Sequence, residues 1–95
     1  MKTIKVARAH DLSHAEAKQA AERLATDLGK RFGLAWNWDG DDVHFARPGV
    51  SGVMHVGDTK IVLEVRLGLL FAPLRPSIEK EIRARLDALT GKRTA

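Results

Sequence analysis

The fold is decided by one continuous stretch, residues 34–67, which reads LAWNWDGDDVHFARPGVSGVMHVGDTKIVLEVRL. Apolar and polar residues alternate along most of it, and this period of two is typical of β-strands with one buried face. The alternation is interrupted by DGDD at 39–42, PG at 48–49 and GDTK at 57–60, each of which is turn-forming by composition. The stretch therefore predicts four antiparallel strands joined by hairpins.

The three turns also predict the register of the strands. Each has an even number of residues, so the apolar side chains stay on one side of the sheet from strand to strand. Two cross-strand rows result, and we expect them to form the centre of the core. We interpret the two tryptophans in these rows, Trp36 and Trp38, as core side chains rather than as a platform on which bases or sugars stack. We expect Gly52 to make room for neighbouring aromatic rings. The rows are Trp36, Phe45, Gly52 and Val65, and Trp38, Val43, Met54 and Leu63.

The residues before this stretch predict a first strand and a long helix. Residues 3–9 alternate, and we expect this strand to pair antiparallel with the last one, giving the spatial order 1-5-4-3-2. Ser13 and Glu16 have the spacing of a capping box, and Gly33 is the natural left-handed cap at the other end. The apolar stripe of this helix is rich in alanine, which would let it lie close to a sheet. The stripe consists of Ala17, Ala20, Ala21, Leu24, Leu28 and Phe32.

The residues after the stretch predict an irregular segment and a second helix. Residues 68–76, GLLFAPLRP, are apolar, and we expect their two prolines to hold them in a stiff extended path. The helix that follows is expected to end at Gly91, with residues 92–95 as a short basic tail. Its apolar positions are Ile78, Ile82, Leu86 and Leu89, and its favourable i,i+4 ion pairs are Glu79–Arg83 and Glu81–Arg85.

The element order is therefore strand, helix, four strands, helix. It predicts an α+β domain of two layers, in which a five-stranded antiparallel sheet (β-α-β-β-β-β-α) carries both helices on one face. The same order resembles a shortened helix-grip fold, whose C-terminal helix lies along a curved sheet. The 95 residues suffice for a single domain, and the large side chains on the sheet face are expected to leave little space for a ligand pocket.

Composition narrows the function classes. The absence of cysteine excludes disulfides, thiolate metal sites and cysteine nucleophiles, and it suits a reducing compartment. Residues 1–5 lack the apolar core of a signal peptide, so we expect a cytoplasmic protein. The net charge is +4, but the basic residues are interleaved with acidic ones, which favours a solvated surface over a nucleic-acid interface.

Three stretches carry a resemblance to a known family. They are RFGLAWNWDGD at 31–41, RPGVSG at 47–52, and residues 65–82, with VRLGLL followed by PL, IE and EI. In order and spacing they resemble the polyhydroxyalkanoate (PHA) system, or granule-associated, family, whose members are linked to polyester storage granules through their genetic context. The family has no established catalytic residues. The resemblance implies a non-enzymatic accessory protein without a cofactor, with the granule surface or granule-associated proteins as its partners. The alternative is a small hydrophobic-ligand-binding protein of the helix-grip type.

The candidate binding residues are Leu69, Leu70, Phe71 and Leu74. Neither helical nor strand periodicity assigns these side chains an inward side. Two interpretations stay open. The segment could close the core edge beneath the second helix, or it could form an exposed apolar patch for a granule surface, a partner protein or a second copy of the chain.

No catalytic or metal site is predicted. His44, His55 and Glu64 fall on the reverse face of the sheet, where polar side chains are ordinary. The acidic turn at 39–42 lacks the ligand spacing of a calcium loop. Residues 10–14 contain two histidines at the helix entry, for which a capping or surface role is expected.

Overall fold

The computed structural model describes the backbone of residues 2–89 and the side chains of residues 3–88. Within them the elements follow the predicted order, with a 3-10 turn added before the second helix. The elements are β1 (Lys2–Ala9), α1 (His14–Phe32), β2 (Ala35–Asp39), β3 (Asp42–Arg47), β4 (Val50–Val56), β5 (Lys60–Leu67), the 3-10 turn (Ala72–Leu74) and α2 (Arg75–Leu89). The predictions for Gly91, residues 92–95 and the side chain of Leu89 lie outside the described residues.

The sheet has the predicted order, β1-β5-β4-β3-β2, and every neighbouring pair is antiparallel. Both cross-strand rows are confirmed: Trp36 lies opposite Phe45, Phe45 opposite Gly52, and Gly52 opposite Val65, with the second row beside them. One face of the sheet packs against both helices, which gives the predicted two-layer α+β architecture.

Gly52 lacks a side chain for a different reason from the one predicted. A Cβ at this position would lie 2.9 Å from the backbone oxygen of Glu64 and 3.3 Å from Cγ2 of Val65. Both residues belong to β5, and no aromatic ring is among the three nearest neighbours. The close approach of β5, rather than of aromatic rings, therefore requires glycine here.

The two tryptophans are half-buried rather than central in the core. They lie on β2, an edge strand, so only β3 flanks them within the sheet. The indole Nε1 of Trp38 donates a hydrogen bond to Glu22 Oε1 over 2.9 Å, and the ammonium of Lys18 lies 4.6 Å from the ring centroid. The centre of the core consists of fully buried side chains on the other four strands and on both helices, among them Ile4, Leu24, Val43, Met54, Ile61, Leu63, Leu67 and Leu86.

Helix α1 has both predicted caps. The hydroxyl oxygen of Ser13 accepts a hydrogen bond from the Glu16 amide over 3.1 Å, and the Ser13 amide donates to Glu16 Oε1 over 3.0 Å. Gly33 has a φ of 68°, and its amide donates to the carbonyl of Gly29. These bonds satisfy backbone groups that a helix leaves unpaired at its ends. The buried stripe between the caps is Ala17, Ala21, Leu24, Ala25 and Leu28; Ala25 was not predicted, whereas Ala20 and Phe32 of the predicted stripe are only half-buried.

The predicted extended path of residues 68–76 is wrong. Pro73 lies in the 3-10 turn and Pro76 in the first turn of α2. The fixed φ of proline suits both conformations, and an amide in the first helical turn would have no helical partner in any case. The chain therefore turns back over the sheet within a few residues of β5.

Helix α2 lies beside α1 and runs antiparallel to it. Two ion pairs join the helices, Arg31 with Glu81 at 3.0 Å and Asp27 with Arg85 at 3.7 Å. The predicted i,i+4 pairs within α2 are both present, although their glutamates are partly buried. Ile82 and Leu86 are buried against the core and Ile78 is half-buried, which confirms the described part of the predicted apolar stripe.

This topology gives the sandwich two distinct ends. At the closed end, the start of α1 meets the turns β2–β3 and β4–β5. At the open end, the C-terminal end of α1 meets the β3–β4 turn, residues 68–76 and the start of α2.

Candidate binding site

The open end carries an exposed apolar patch, which we call the leucine patch and define as Leu69, Leu70 and Leu74. Their relative exposures are 84%, 81% and 51%, and no other large apolar side chain among the described residues is exposed to this degree. A residue with most of its surface in water contributes little to the core. Three of the four predicted binding residues thus face solvent.

A compact turn presents the leucine patch. The Gly68 amide donates to the carbonyl of Gly49 over 2.8 Å, which ties the segment to the β3–β4 turn. The amides of Phe71 and Ala72 both donate to the carbonyl of Gly68 over 3.0 Å. Leu69 and Leu70 fill the turn between these bonds, so their backbone is held while their side chains project outward.

The fourth predicted residue, Phe71, is half-buried and packs against the core. A Cβ on Gly49 would lie 3.0 Å from its ring, and Gly49 has a φ of 85°. The guanidinium of Arg47 lies 5.1 Å from the ring centroid, a cation–π distance. Phe71 therefore anchors the segment from which the leucine patch projects.

Behind Phe71 the two layers separate and leave a cavity of about 380 Å³ that opens to solvent at this end. Its walls are formed by the end of α1, the inner face of the sheet and the start of α2. The expectation that large side chains leave little space for a pocket is wrong at this end of the sandwich. Its inner wall consists of buried apolar side chains: Leu28, Phe45, Leu63, Val65, Leu67 and Ile82.

Gly52 is one reason for this space. It lies on the inner face of β4 between Phe45 and Val65, and it contributes no side chain to the volume in front of it. The large residues predicted to fill the sheet face are present, but Met54 and Trp38 do not line the cavity.

The mouth of the cavity is basic. Its exposed lining residues are Arg31, Gly33, Arg47 and Leu74, so the leucine patch touches its rim. Arg31 is paired with Glu81. Arg47 donates from one terminal nitrogen to the carbonyl of Phe32 over 2.8 Å, and no carboxylate of residues 3–88 forms an ion pair with it.

Polar contacts seal the closed end. His14 Nε2 lies 2.9 Å from Asp41 Oδ1, and His14 Nδ1 lies 2.9 Å from Asp58 Oδ1, so one ring joins both turns to α1. The hydrogen bond to Asp41 raises the pKa of His14, and the bond to Asp58 adds to this effect. The hydrogen bond to His14 in turn lowers the pKa of Asp41.

His10 is not a surface or capping residue, as its position suggested. It is buried at 7% exposure, with Nε2 at 2.8 Å from the carbonyl of Gly57, and Nδ1 accepts a hydrogen bond from the Leu12 amide over 3.1 Å. Because Nδ1 accepts from an amide, Nε2 is the nitrogen that donates to the Gly57 carbonyl, and the ring holds the β4–β5 turn against the start of α1.

The reverse sheet face brings no metal ligands together in the described residues. His55 Nδ1 pairs with Asp42 Oδ1 at 2.6 Å, and His44 lies 3.6 Å from Asp39. Both histidines therefore contact acidic residues at or beside the β2–β3 turn.

Sequence reasoning missed the cavity and the position of Arg47. A signal was available for the first, since a glycine among large apolar residues on the inner face of a strand indicates missing volume. None was available for Arg47, because its neighbours Phe32 and Phe71 are distant in sequence.

Comparison with known proteins gives one family. Its sequence profile, described as "putative polyhydroxyalkanoic acid system protein", matches residues 4–89. No curated protein and no solved structure shows a significant match, so the likeness to the helix-grip fold stays a prediction based on element order. Neither helix combines the length and the apolar character that crossing a bilayer would require in the described part of the chain. Since the family match spans nearly the whole chain and its sheet, both helices and the leucine patch, the protein belongs to the polyhydroxyalkanoic acid system family.

Proposed function

We propose that this protein is a non-enzymatic accessory protein of the PHA system that acts in the cytoplasm, at the surface of the storage granule. It attaches through the leucine patch, with Phe71 as the anchor that holds the patch in place. Membership of the PHA system family supports the storage granule as the site of action, and the exposed leucine patch supports direct contact with the granule surface.

The observation that carries the proposal is the exposure of Leu69 and Leu70, 84% and 81%, on adjacent residues of a backbone-tied turn. Exposed apolar clusters on small proteins commonly mark interaction sites. Burial of ~300 Å² of apolar surface would contribute roughly 7 kcal/mol at about 25 cal/mol/Å², before the costs of association are subtracted.

The polyester itself, rather than a coat protein, is the proposed partner. The two leucines project from a turn, and a soft apolar surface can surround projecting side chains without a preformed groove. A protein partner would need a complementary pocket to desolvate them equally well. The turn is already ordered, which reduces the entropy lost on contact.

The test is co-sedimentation with protein-free PHA particles. The double variant Leu69→Ser with Leu70→Ser should lose most of its binding and keep the melting temperature of the wild type, because both side chains are largely exposed. Phe71 is left intact because its ring packs against the core. The matched control is Val53→Thr with Val62→Thr, which removes apolar surface from the opposite face of the sheet and should bind normally.

Equal sedimentation of the double variant and the wild type would overturn the proposal. Binding to native granules but not to protein-free particles would assign the patch to a coat protein instead. A concentration-dependent dimer that the double variant abolishes, without any binding to particles, would assign it to self-association.

A further inference from the structure

We infer that the cavity at the open end binds the alkyl chain of an aliphatic carboxylate, with Arg47 holding the carboxylate at the mouth. This is a second site, which shares Leu74 at its rim with the leucine patch but contains neither Leu69 nor Leu70. Its evidence is the cavity and the charge at its rim, and it does not depend on granule attachment.

The size and lining of the cavity define the ligand tail. A volume of about 380 Å³ falls within the range of sites for small molecules. The inner wall includes Leu28, Leu63 and Ile82, all buried and apolar. A ligand with polar groups along its length would lose hydrogen bonds to water there and gain none, so the tail must be a hydrocarbon.

The mouth defines the ligand head. Arg47 is fixed on two sides, by its hydrogen bond to the Phe32 carbonyl and by the ring of Phe71. A guanidinium has five N–H donors, so a fixed Arg47 keeps donors for an anion. No carboxylate within residues 3–88 forms an ion pair with it, whereas the neighbouring Arg31 is paired with Glu81.

A fixed guanidinium at the entrance to an apolar cavity matches the planar geometry of a carboxylate. The ligand class is therefore a medium-length aliphatic carboxylate whose polar groups all lie at or beside the carboxylate. Two sources have this chemistry in a polyhydroxyalkanoate setting, the free 3-hydroxyalkanoic acid and the carboxyl end of a polyester chain. In both, the oxygen on C3 would stay at the mouth with the carboxylate, and the alkyl group beyond it would enter the cavity.

Isothermal titration calorimetry with octanoate, hexanoate and butyrate tests the tail. We expect saturable binding of octanoate, with an affinity that falls roughly threefold to fourfold for each methylene removed. Val50→Phe places a ring in the cavity, since Val50 lines it and is half-buried. This variant should weaken octanoate binding at least tenfold without lowering the melting temperature.

Arg47→Gln tests the head and should weaken octanoate binding about tenfold or more. Arg47→Lys keeps the charge and should retain part of the affinity. The matched control is Arg23→Gln, which removes the same charge from an exposed position on α1 outside the cavity and should bind normally. The methyl ester of octanoic acid should bind more weakly than octanoate.

Short oligomers of 3-hydroxyoctanoate with a free carboxyl end separate the two sources. Tighter binding of the oligomer than of free 3-hydroxyoctanoate identifies the polymer end as the ligand, and the reverse identifies the free acid. Both results support the site. No binding of octanoate at millimolar concentration, or equal affinity in Val50→Phe or Arg47→Gln, overturns it. The variant Leu69→Ser with Leu70→Ser should still bind octanoate. The proposal of a carboxylate site and the proposal of granule attachment can therefore be refuted independently of each other.

Discussion

The two ends of the sandwich are built in opposite ways, although the same sheet and the same helices form both. At the closed end, His14 bridges two turns, His10 is buried with both ring nitrogens bonded, and the apolar side chains beneath them, Met54, Val56 and Ile61, are fully buried. At the open end, a cavity of about 380 Å³ lies between the layers, and the side chains of Leu69 and Leu70 are largely exposed to solvent.

This difference shows which end stabilises the fold and which is free for binding. Filled cores and satisfied polar groups stabilise a domain, whereas voids and exposed apolar side chains reduce its stability. A protein of 95 residues has little stability to spare, so the open end requires a well-packed closed end. The comparison yields three predictions.

The largest expected effect comes from removing the same side chain at each end. Ile61 at the closed end is fully buried, whereas Ile78 at the open end is half-buried beside the cavity. Ile61→Ala should lower the free energy of unfolding by about 2–5 kcal/mol. Ile78→Ala should cost clearly less, because its neighbours already border empty space. Urea denaturation of the two variants checks this, and equal losses would contradict the contrast between the ends.

An intermediate effect is expected from Gly52→Val, at the inner wall of the cavity. The open space could accept the added methyl groups, but the new Cβ would lie 2.9 Å from the backbone oxygen of Glu64. A backbone atom cannot move aside as a side-chain tip can, so we expect a loss of roughly 1–3 kcal/mol. Thermal denaturation followed by circular dichroism measures it, with Gly52→Ala as the smaller step. An unchanged melting temperature would show that β4 and β5 can separate here at no cost.

The smallest effect is the pH dependence of the closed end. The pKa of His14 is raised above its ordinary value of about 6.5, so its contribution to stability is present below that value and declines as pH rises through the raised pKa. The pKa of Asp41 is lowered, so its contribution is present above its ordinary value and declines as pH falls through the lowered pKa. The bridge is therefore strongest at mildly acidic pH.

Melting temperatures of wild type and His14→Gln, compared at about pH 6 and about pH 9, test this assignment. The wild type should lose more stability than the variant between the two values. Since the groups are solvent-exposed, the difference should be small and should shrink in high salt. A His14→Gln variant with the same pH dependence as wild type would show that the bridge contributes nothing.

Much of the sheet could be predicted from sequence because its determinants are local. Alternation assigns each side chain a face, and the even turns at 39–42, 48–49 and 57–60 carry that assignment from strand to strand, so the pairing of Trp36 with Phe45 was predictable. The capping box at Ser13 was predictable for the same reason.

The candidate site was only partly predictable because it depends on contacts between distant residues. Leu69, Leu70 and Phe71 are similar in composition, yet Phe71 turns inward because the bare backbone of Gly49 makes room for its ring. The cavity likewise depends on where the helices part from the sheet, which no local pattern encodes. The prediction that Pro73 and Pro76 hold residues 68–76 in an extended path was wrong because the fixed φ of proline suits a helical turn equally well.

The pairing of β1 with β5 has a consequence for how the chain is made. Residues 2–9 are synthesised before residues 60–67, the strand with which they pair in the described sheet. Strands β2 to β5 form successive hairpins and can pair as they are synthesised. Strand β1 can pair only after β5 has been made, and this pairing closes the long loop between the two strands at an entropic cost. During synthesis the chain therefore carries an unpaired strand with the apolar residues Ile4 and Val6, and the edge of the sheet formed by β1 is completed last.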